Sequence, residues 1–213
     1  MARTINDLYN FYQYIVRKER GVFVSISQFT SNMDAGQMDA FLEYFKGYGV
    51  NQEIHDALRV FKVYQSFTSD GSGYVTYPSN YFHLLGNPFT LAGSTVNTLK
   101  FVNEDELSFA LTSQQRAVTN TYPIAVDTST GFSIYPQATQ IGAYFYLRRP
   151  AAPVLAYTQS GRTITYNSAG STQLEWEEIY WNNILAKALR YAGVNMNEQG
   201  ISEFAQQYNS ETQ

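Results

Sequence analysis

The sequence predicts an α+β fold: N-terminal helices, a central antiparallel sheet or small β-sandwich, and a C-terminal helix with a docking tail. Three observations predict it. Apolar residues recur at steps of three and four through the first sixty positions, alternate or cluster between turn signals through the middle, and return to helical spacing after Trp176. Helices, then strands, then helices is the order of an α+β chain rather than of an alternating α/β one. Residues 1–193 read as one domain, mostly helical over 1–62, mostly strand over 63–170 and helical again over 174–193, with 194–213 as a C-terminal arm.

From Thr4 to Arg20, Ile5, Leu8, Tyr9, Tyr12, Ile15 and Val16 fall on one helix face, and Thr4 with Asp7 three residues on can cap it. Ser25–Asn32 starts a second helical piece. Gln37–Tyr48 gives a third, carrying Met38, Phe41, Leu42 and Phe45. Asn51 caps a short fourth with Ile54 and Leu58.

Val60–Phe67 is apolar and aromatic, and Asp70-Gly71-Ser72-Gly73 then turns the chain into Tyr74-Val75-Thr76-Tyr77, which predicts a hairpin. Thr95–Val102 alternates as a strand. Asn103-Glu104-Asp105-Glu106 reads as the cap and acidic first turn of a helix running to about Gln115. Ile124-Ala125-Val126 and Phe132–Tyr135 flank a polar turn ending in Gly131. Ala143–Arg148 alternates Phe145 and Leu147 with Tyr144 and Tyr146, and Thr163–Tyr166 supplies a further short strand. Trp176–Ala192 carries Ile179, Tyr180, Ile184, Leu185, Ala188 and Leu189 on one broad helical face stopped by Gly193. Over 197–213, Ile201, Phe204, Ala205 and Tyr208 form a stripe on a helix too short to stand alone in water. It must therefore dock on its own domain or on a neighbour.

Composition narrows the function. A cysteine-free chain has no disulfide scaffold, thiolate nucleophile or cysteine-ligated metal. A net charge of −4 is a poor basis for tight nucleic-acid binding, which relies on clustered cations. No run approaches the apolar length of a membrane span, and Asp7 and Asn10 interrupt the N-terminus before a signal-peptide core forms, so a soluble chain without an export signal is expected. Eighteen Tyr and fourteen Phe stand beside amides nearly as numerous as the charged residues. That suits either a contact surface between proteins or a tyrosine-rich core.

No enzyme signature is present. His55 and His83 are isolated and lack partners at metal-ligand spacing; a surface His55 and a packed or backbone-bonded His83 are the expected roles. Asp70-Gly71-Ser72-Gly73 lacks the other oxygen ligands of a calcium loop and reads as a turn. Glu104-Asp105-Glu106 and Glu175-Glu177-Glu178 stand where helices should begin and serve the helix dipole better than a glycosidase carboxylate pair. Trp176 and Trp181, five apart on the expected helix, face different ways and make no sugar platform. Arg17, Lys18 and Arg20 form a basic knot suited to the C-terminus of the first helix, with contact to phosphate or an acidic partner second.

Several segments occur in one order: Tyr77-Pro78-Ser79-Asn80-Tyr81-Phe82-His83-Leu84, Tyr122-Pro123-Ile124, Ile134-Tyr135-Pro136, Tyr144-Phe145-Tyr146-Leu147-Arg148-Arg149-Pro150, Leu174-Glu175-Trp176 and a final helix ending Ala192-Gly193-Val194. In this layout, over nearly its whole length, the chain resembles the neck and tail-barrel ring proteins of crAss-like and related Bacteroidetes-infecting tailed phages. The resemblance implies a virion structural protein assembled in the host cytoplasm. Its subunits ring the axial channel between portal and tail as a homo-oligomer, twelve copies to match the portal. The implied partners are the portal protein and adjacent neck and tail ring proteins, with double-stranded DNA passing through without sequence recognition. No cofactor, metal, membrane or catalytic residue is implied. Pro78, Pro123, Pro136 and Pro150 then mark strand ends, while Tyr81, Tyr144 and Tyr146 pack.

A ring needs one surface to meet a different one on the next copy. The expected contact residues are Arg17, Lys18 and Arg20 together with Ile201, Phe204 and Tyr208. The alternative is a receptor- or carbohydrate-binding tail module, motivated by tyrosine and amide richness and opposed by the helical ends. A hydrolase using one of the acidic clusters is a third reading.

Overall fold

The computed structural model describes residues 4–93, 95–113, 117–161, 163–196 and 198–211. The expected helix end at Gln115 and the Asn197 start of the tail lie outside them. The fold is α+β, with N-terminal helices, central antiparallel sheets and C-terminal helices packed on the N-terminal ones. The chain forms two compact units, Met1–Val60 with Pro150–Gln213, and Phe61–Arg149.

In the first unit α1 (Ile5–Arg20) opens as its cap predicts: Thr4 Oγ1 accepts from the Asp7 N–H at 3.2 Å, and the Thr4 N–H donates to Asp7 Oδ2 at 2.9 Å. Gly21, at φ 65°, ends it in the left-handed region and donates to the Arg17 carbonyl. Ser25 and Gln28 form a second capping box, from which α2 (Ile26–Lys46) runs unbroken. The two pieces expected at Ser25–Asn32 and Gln37–Tyr48 are therefore one helix. Packing against α5 (Trp181–Tyr191) carries it through Gly36, where local propensity is weak. α3 (Gln52–Ala57) follows, capped by Asn51 as expected. The helix expected from Trp176 begins only at Trp181, after a 3-10 turn at Glu178–Tyr180. Trp176 lies before it and accepts from Trp181 Nε1 through its carbonyl at 2.8 Å.

The last helix, α6 (Glu198–Glu211), packs on α1 and α5. Ile5, Tyr12, Ile15, Phe29, Met33, Phe41, Ile184, Leu189 and Ile201 are all fully buried in this helical unit.

The second unit is a two-sheet sandwich. One sheet has the order β1 (Lys62–Thr68), β8 (Ile141–Arg148), β3 (Tyr81–Ala92), β4 (Thr95–Thr98), all antiparallel. The other has the order β2 (Tyr74–Thr76), β7 (Gly131–Tyr135), β6 (Ile124–Thr128), β5 (Lys100–Phe101), with β5 parallel to β6. The turn at Asp70 forms, its carboxylate accepting from the Ser72 N–H, the Ser72 hydroxyl and the Tyr74 N–H; these bonds, Ser72's first, hold its pKa below the usual carboxylate value. The expected hairpin does not: β1 pairs with β8 and β2 with β7, so the turn carries the chain from one sheet to the other. The strand expected over Thr95–Val102 divides in the same way. Its β4 and β5 ends belong to different sheets, with Leu99 wholly buried where it crosses. The hairpin around Gly131 is as expected. A two-stranded ribbon, β9 (Tyr157–Ser160) with β10 (Thr163–Tyr166), belongs to the helical unit, where Tyr157 Oη donates to Asn6 Oδ1 at 2.6 Å.

Inward-facing residues of both sheets, Phe67, Val75, Leu99, Ala125, Phe132, Ile134, Tyr144 and Tyr146, form the sandwich core. The Tyr77 and Tyr81 rings stack at 3.9 Å beside it, and Tyr77 Oη donates to Asp127 Oδ1 at 2.8 Å. Burial first, then the Asp127 hydrogen bond, pushes the Tyr77 phenol far above its ordinary pKa. Burial raises Tyr81 as well and lifts Tyr144 to about 12. The folded state thus holds these protons more tightly than the unfolded chain, whose tyrosines titrate near ~10. This stabilisation is complete below pH ~10 and is lost as pH rises through the folded values. An alkaline titration should show tyrosinate absorbance from these rings rising together with loss of the near-ultraviolet circular dichroism. Their ionisation in a still-folded chain would contradict the assignment.

Candidate interaction site

Strand alternation divides β8 into two faces. Tyr144 and Tyr146 point into the sandwich core, so Ile141, Ala143, Phe145 and Leu147 lie on the opposite face, where Ile141 and Phe145 reach solvent while Ala143 and Leu147 are covered. Register extends that outer face over the whole sheet. Tyr64 on β1 and Leu85 on β3 flank Phe145, Leu91 on β3 pairs with Ile141, and Val96 on β4 pairs with Leu91. The Tyr64 and Phe145 rings lie 5.1 Å apart. Tyr64 is 56% exposed, Ile141 57% and Val96 61%. A solvated antiparallel sheet ordinarily turns polar residues to water. The same register sets Lys62, Ser66, Thr68, His83 and Thr98 among these apolar side chains, a mixed surface of the kind that serves contacts.

A second feature is α4 (Glu104–Thr112). Its first turn carries Glu104, Asp105 and Glu106, its Asn103 cap makes no side-chain hydrogen bond, and none of its nine residues is buried. Phe109 is 83% exposed. A groove of about 430 Å³ runs beneath it, lined by Lys100, Val102, Phe109, Tyr122 and Ile124 among others. A helix of nine residues draws its stability from packing rather than propensity, and this one has little packing of its own.

The third lies at the end of α1. The Arg17 guanidinium sits over the Phe23 ring at 5.2 Å, and the Lys18 ammonium over the Tyr14 ring at 5.0 Å. Arg20 Nη1 donates to the Ala192 carbonyl at 2.5 Å, so it satisfies the C-terminal end of α5, a partner invisible in the sequence. Tyr208 packs on Phe11 at 5.6 Å and on Tyr14 at 5.2 Å, and Phe204 on Tyr14 at 6.3 Å. Ile201 is wholly buried in its own unit. The structure thus brings five of the six expected contact residues, Arg17, Lys18, Arg20, Phe204 and Tyr208, to the neighbourhood of α1, and places Ile201 in the core behind them. Tyr14, Arg17, Lys18, Phe23 and Tyr208 line a groove of about 720 Å³ there.

The residues weighed for chemistry are dispersed. The two acidic clusters lie on different units. Glu175 Oε2 accepts from the Ala151 N–H at 2.8 Å, and Glu177 pairs with Arg59 at 3.3 Å across an exposed surface. His55 stacks on Tyr48 at 4.9 Å, and His83 stands on β3 opposite Leu147. Among the described residues no group of three or more His, Asp or Glu is placed to hold a metal ion, and no helix is long and apolar enough to cross a membrane. No protein-family model matches the chain, and no curated protein does.

The outer sheet face was missed by sequence reasoning although a signal for it existed. Ala143–Arg148 is apolar at both parities, the pattern of a strand covered on both faces. What it lacked was β3, the longest strand of the fold, hidden by Gly86 and Pro88 and by the register shift between Leu85 and Phe89.

Proposed function

We propose that this chain is a virion structural subunit, one copy in a ring of the phage neck or tail that joins portal to tail and surrounds the DNA channel. The observation that carries the reading is the set of large apolar side chains, Tyr64, Leu91, Val96, Ile141 and Phe145, exposed on the outer face of the β1-β8-β3-β4 sheet, since such exposure suits a contact. The ordered segments from Tyr77 to Val194 that resemble crAss-like neck proteins support the specific place in the virion. A net charge of −4 suits a wall past which DNA slides, because cationic walls would bind phosphate and release counterions. The activity is then geometric: identical borders close copies into a collar, and the portal templates their number.

Particle mass and low-resolution imaging of the purified chain, alone and with its portal, test this. An annulus of about a dozen copies is expected, the closed symmetry of a heterologous interface. A trimeric stalk that binds glycans would replace the reading with a receptor-binding module. Tight, salt-sensitive binding of duplex DNA would overturn the channel role.

A further inference from the structure

We infer that neighbouring copies join head to tail, α4 of one copy seating Phe109 and its acidic first turn in the groove at the end of α1 on the next. The inference rests on the ring reading and names one contact that would help build it, beside the outer sheet face. Among the described residues α4 packs little on its neighbours: none of its residues is buried, and Phe109 stands almost fully in solvent. Glu106 precedes Phe109 by three positions and Asp105 by four, so both carboxylates share the ring's side of the helix. The α1 groove has the complementary pattern. Arg17 and Lys18 are each poised on an aromatic ring, Phe23 is 62% exposed beside them, and 720 Å³ is ample for an aromatic side chain.

Charge decides the occupant. The first turn of α4 carries three carboxylates, Glu104, Asp105 and Glu106, while the end of α1 carries Arg17, Lys18 and Arg20, with Glu19 beside them and Glu203 on the neighbouring α6. Two α4 helices would repel one another, and so would two α1 ends; only the mixed pairing joins opposite charges. The paired surfaces differ, which makes the contact heterologous, the kind that generates a ring when its rotation closes.

The absence of cysteine makes the test direct. Chains carrying Phe109→Cys and Phe23→Cys are mixed and treated with a short bismaleimide, beside each chain alone. The mixture is expected to give a covalent dimer, and a chain with both substitutions a ladder up to the ring. Asp105→Lys with Glu106→Lys should lower the cross-linking yield by about tenfold, and pairing that chain with one carrying Arg17→Glu and Lys18→Glu should restore it. The yield of the unreversed pair should fall as salt rises. An annulus that assembles while Phe109→Cys and Phe23→Cys chains fail to cross-link overturns this contact and leaves the ring reading standing. A chain that stays monomeric with and without portal overturns both.

Discussion

Gly36→Val is expected to destabilise the helical unit severely. Gly36 sits inside α2 where that helix meets α5. A Cβ there would lie 2.7 Å from the Ala188 nitrogen and 2.9 Å from the Ile184 carbonyl oxygen. Both are backbone atoms, so no side-chain rotation relieves the clash and the helices must separate. Separation loosens Met33, Ala40 and Phe41 from Ile184, Leu185 and Ala188, all buried in this unit. Overpacking of a core costs ~1–3 kcal/mol and sometimes more, whereas exchanging Gly for Ala in a helix returns only ~1 kcal/mol. Gly36→Ala should therefore lose stability by ~1–2 kcal/mol, and valine, with its branched Cβ, much more. Against a total of ~5–15 kcal/mol the valine change is severe. Far-ultraviolet circular dichroism during denaturant unfolding measures it. Gly49→Ala, where a Cβ meets nothing within 4 Å, is the control expected to leave the midpoint unchanged. A Gly36→Ala chain more stable than its parent would show that α2 and α5 are not in close contact.

The opposite faces of β-sandwich strands should respond in opposite ways. Phe132 is fully buried, with the rings of Phe67, Tyr77, Tyr144 and Phe101 at 5.5, 5.7, 5.8 and 6.0 Å. Phe132→Ala removes the ring on which these four converge, and a loss of ~3–5 kcal/mol is expected, with collapse of the near-ultraviolet aromatic signal. Tyr64→Ala with Val96→Thr strips the outer face instead. Neither residue is needed by the core, so stability should change by less than ~0.5 kcal/mol per site while the particle mass of the assembly falls. If the outer-face pair destabilised the monomer as much as Phe132→Ala does, the face would belong to the fold rather than to a contact.

Two helix starts were legible because capping is local. Thr4 with Asp7 and Asn51 each announce a helix within four residues, and the structure uses both. The Gly131 hairpin was legible for the same reason. The hairpin at Asp70 was not, because a turn sequence specifies a reversal but says nothing about which strand each arm will pair with. The arms of that turn pair with β8 and β7, far along the chain.

The candidate surfaces divide along the same line. Phe204 and Tyr208 could be named from helical spacing, yet their convergence on Tyr14, over which Lys18 also sits, depends on α6 folding back over α1. Arg20 looked like a ligand for its own helix end and instead satisfies that of α5. The apolar side chains Tyr64, Leu91, Val96 and Ile141 draw on four strands whose order, β1-β8-β3-β4, brings them together from positions 64 to 141 of the sequence.

Residue order alone was enough for the α+β class, the caps, the acidic first turn of α4 and the lack of thiol chemistry, since each follows from neighbours a few positions apart or from composition. Strand partners, the passage of α2 through Gly36 and the exposed outer face came only with tertiary structure. These are long-range choices, made where burial of distant apolar side chains outweighs the preferences of any local segment.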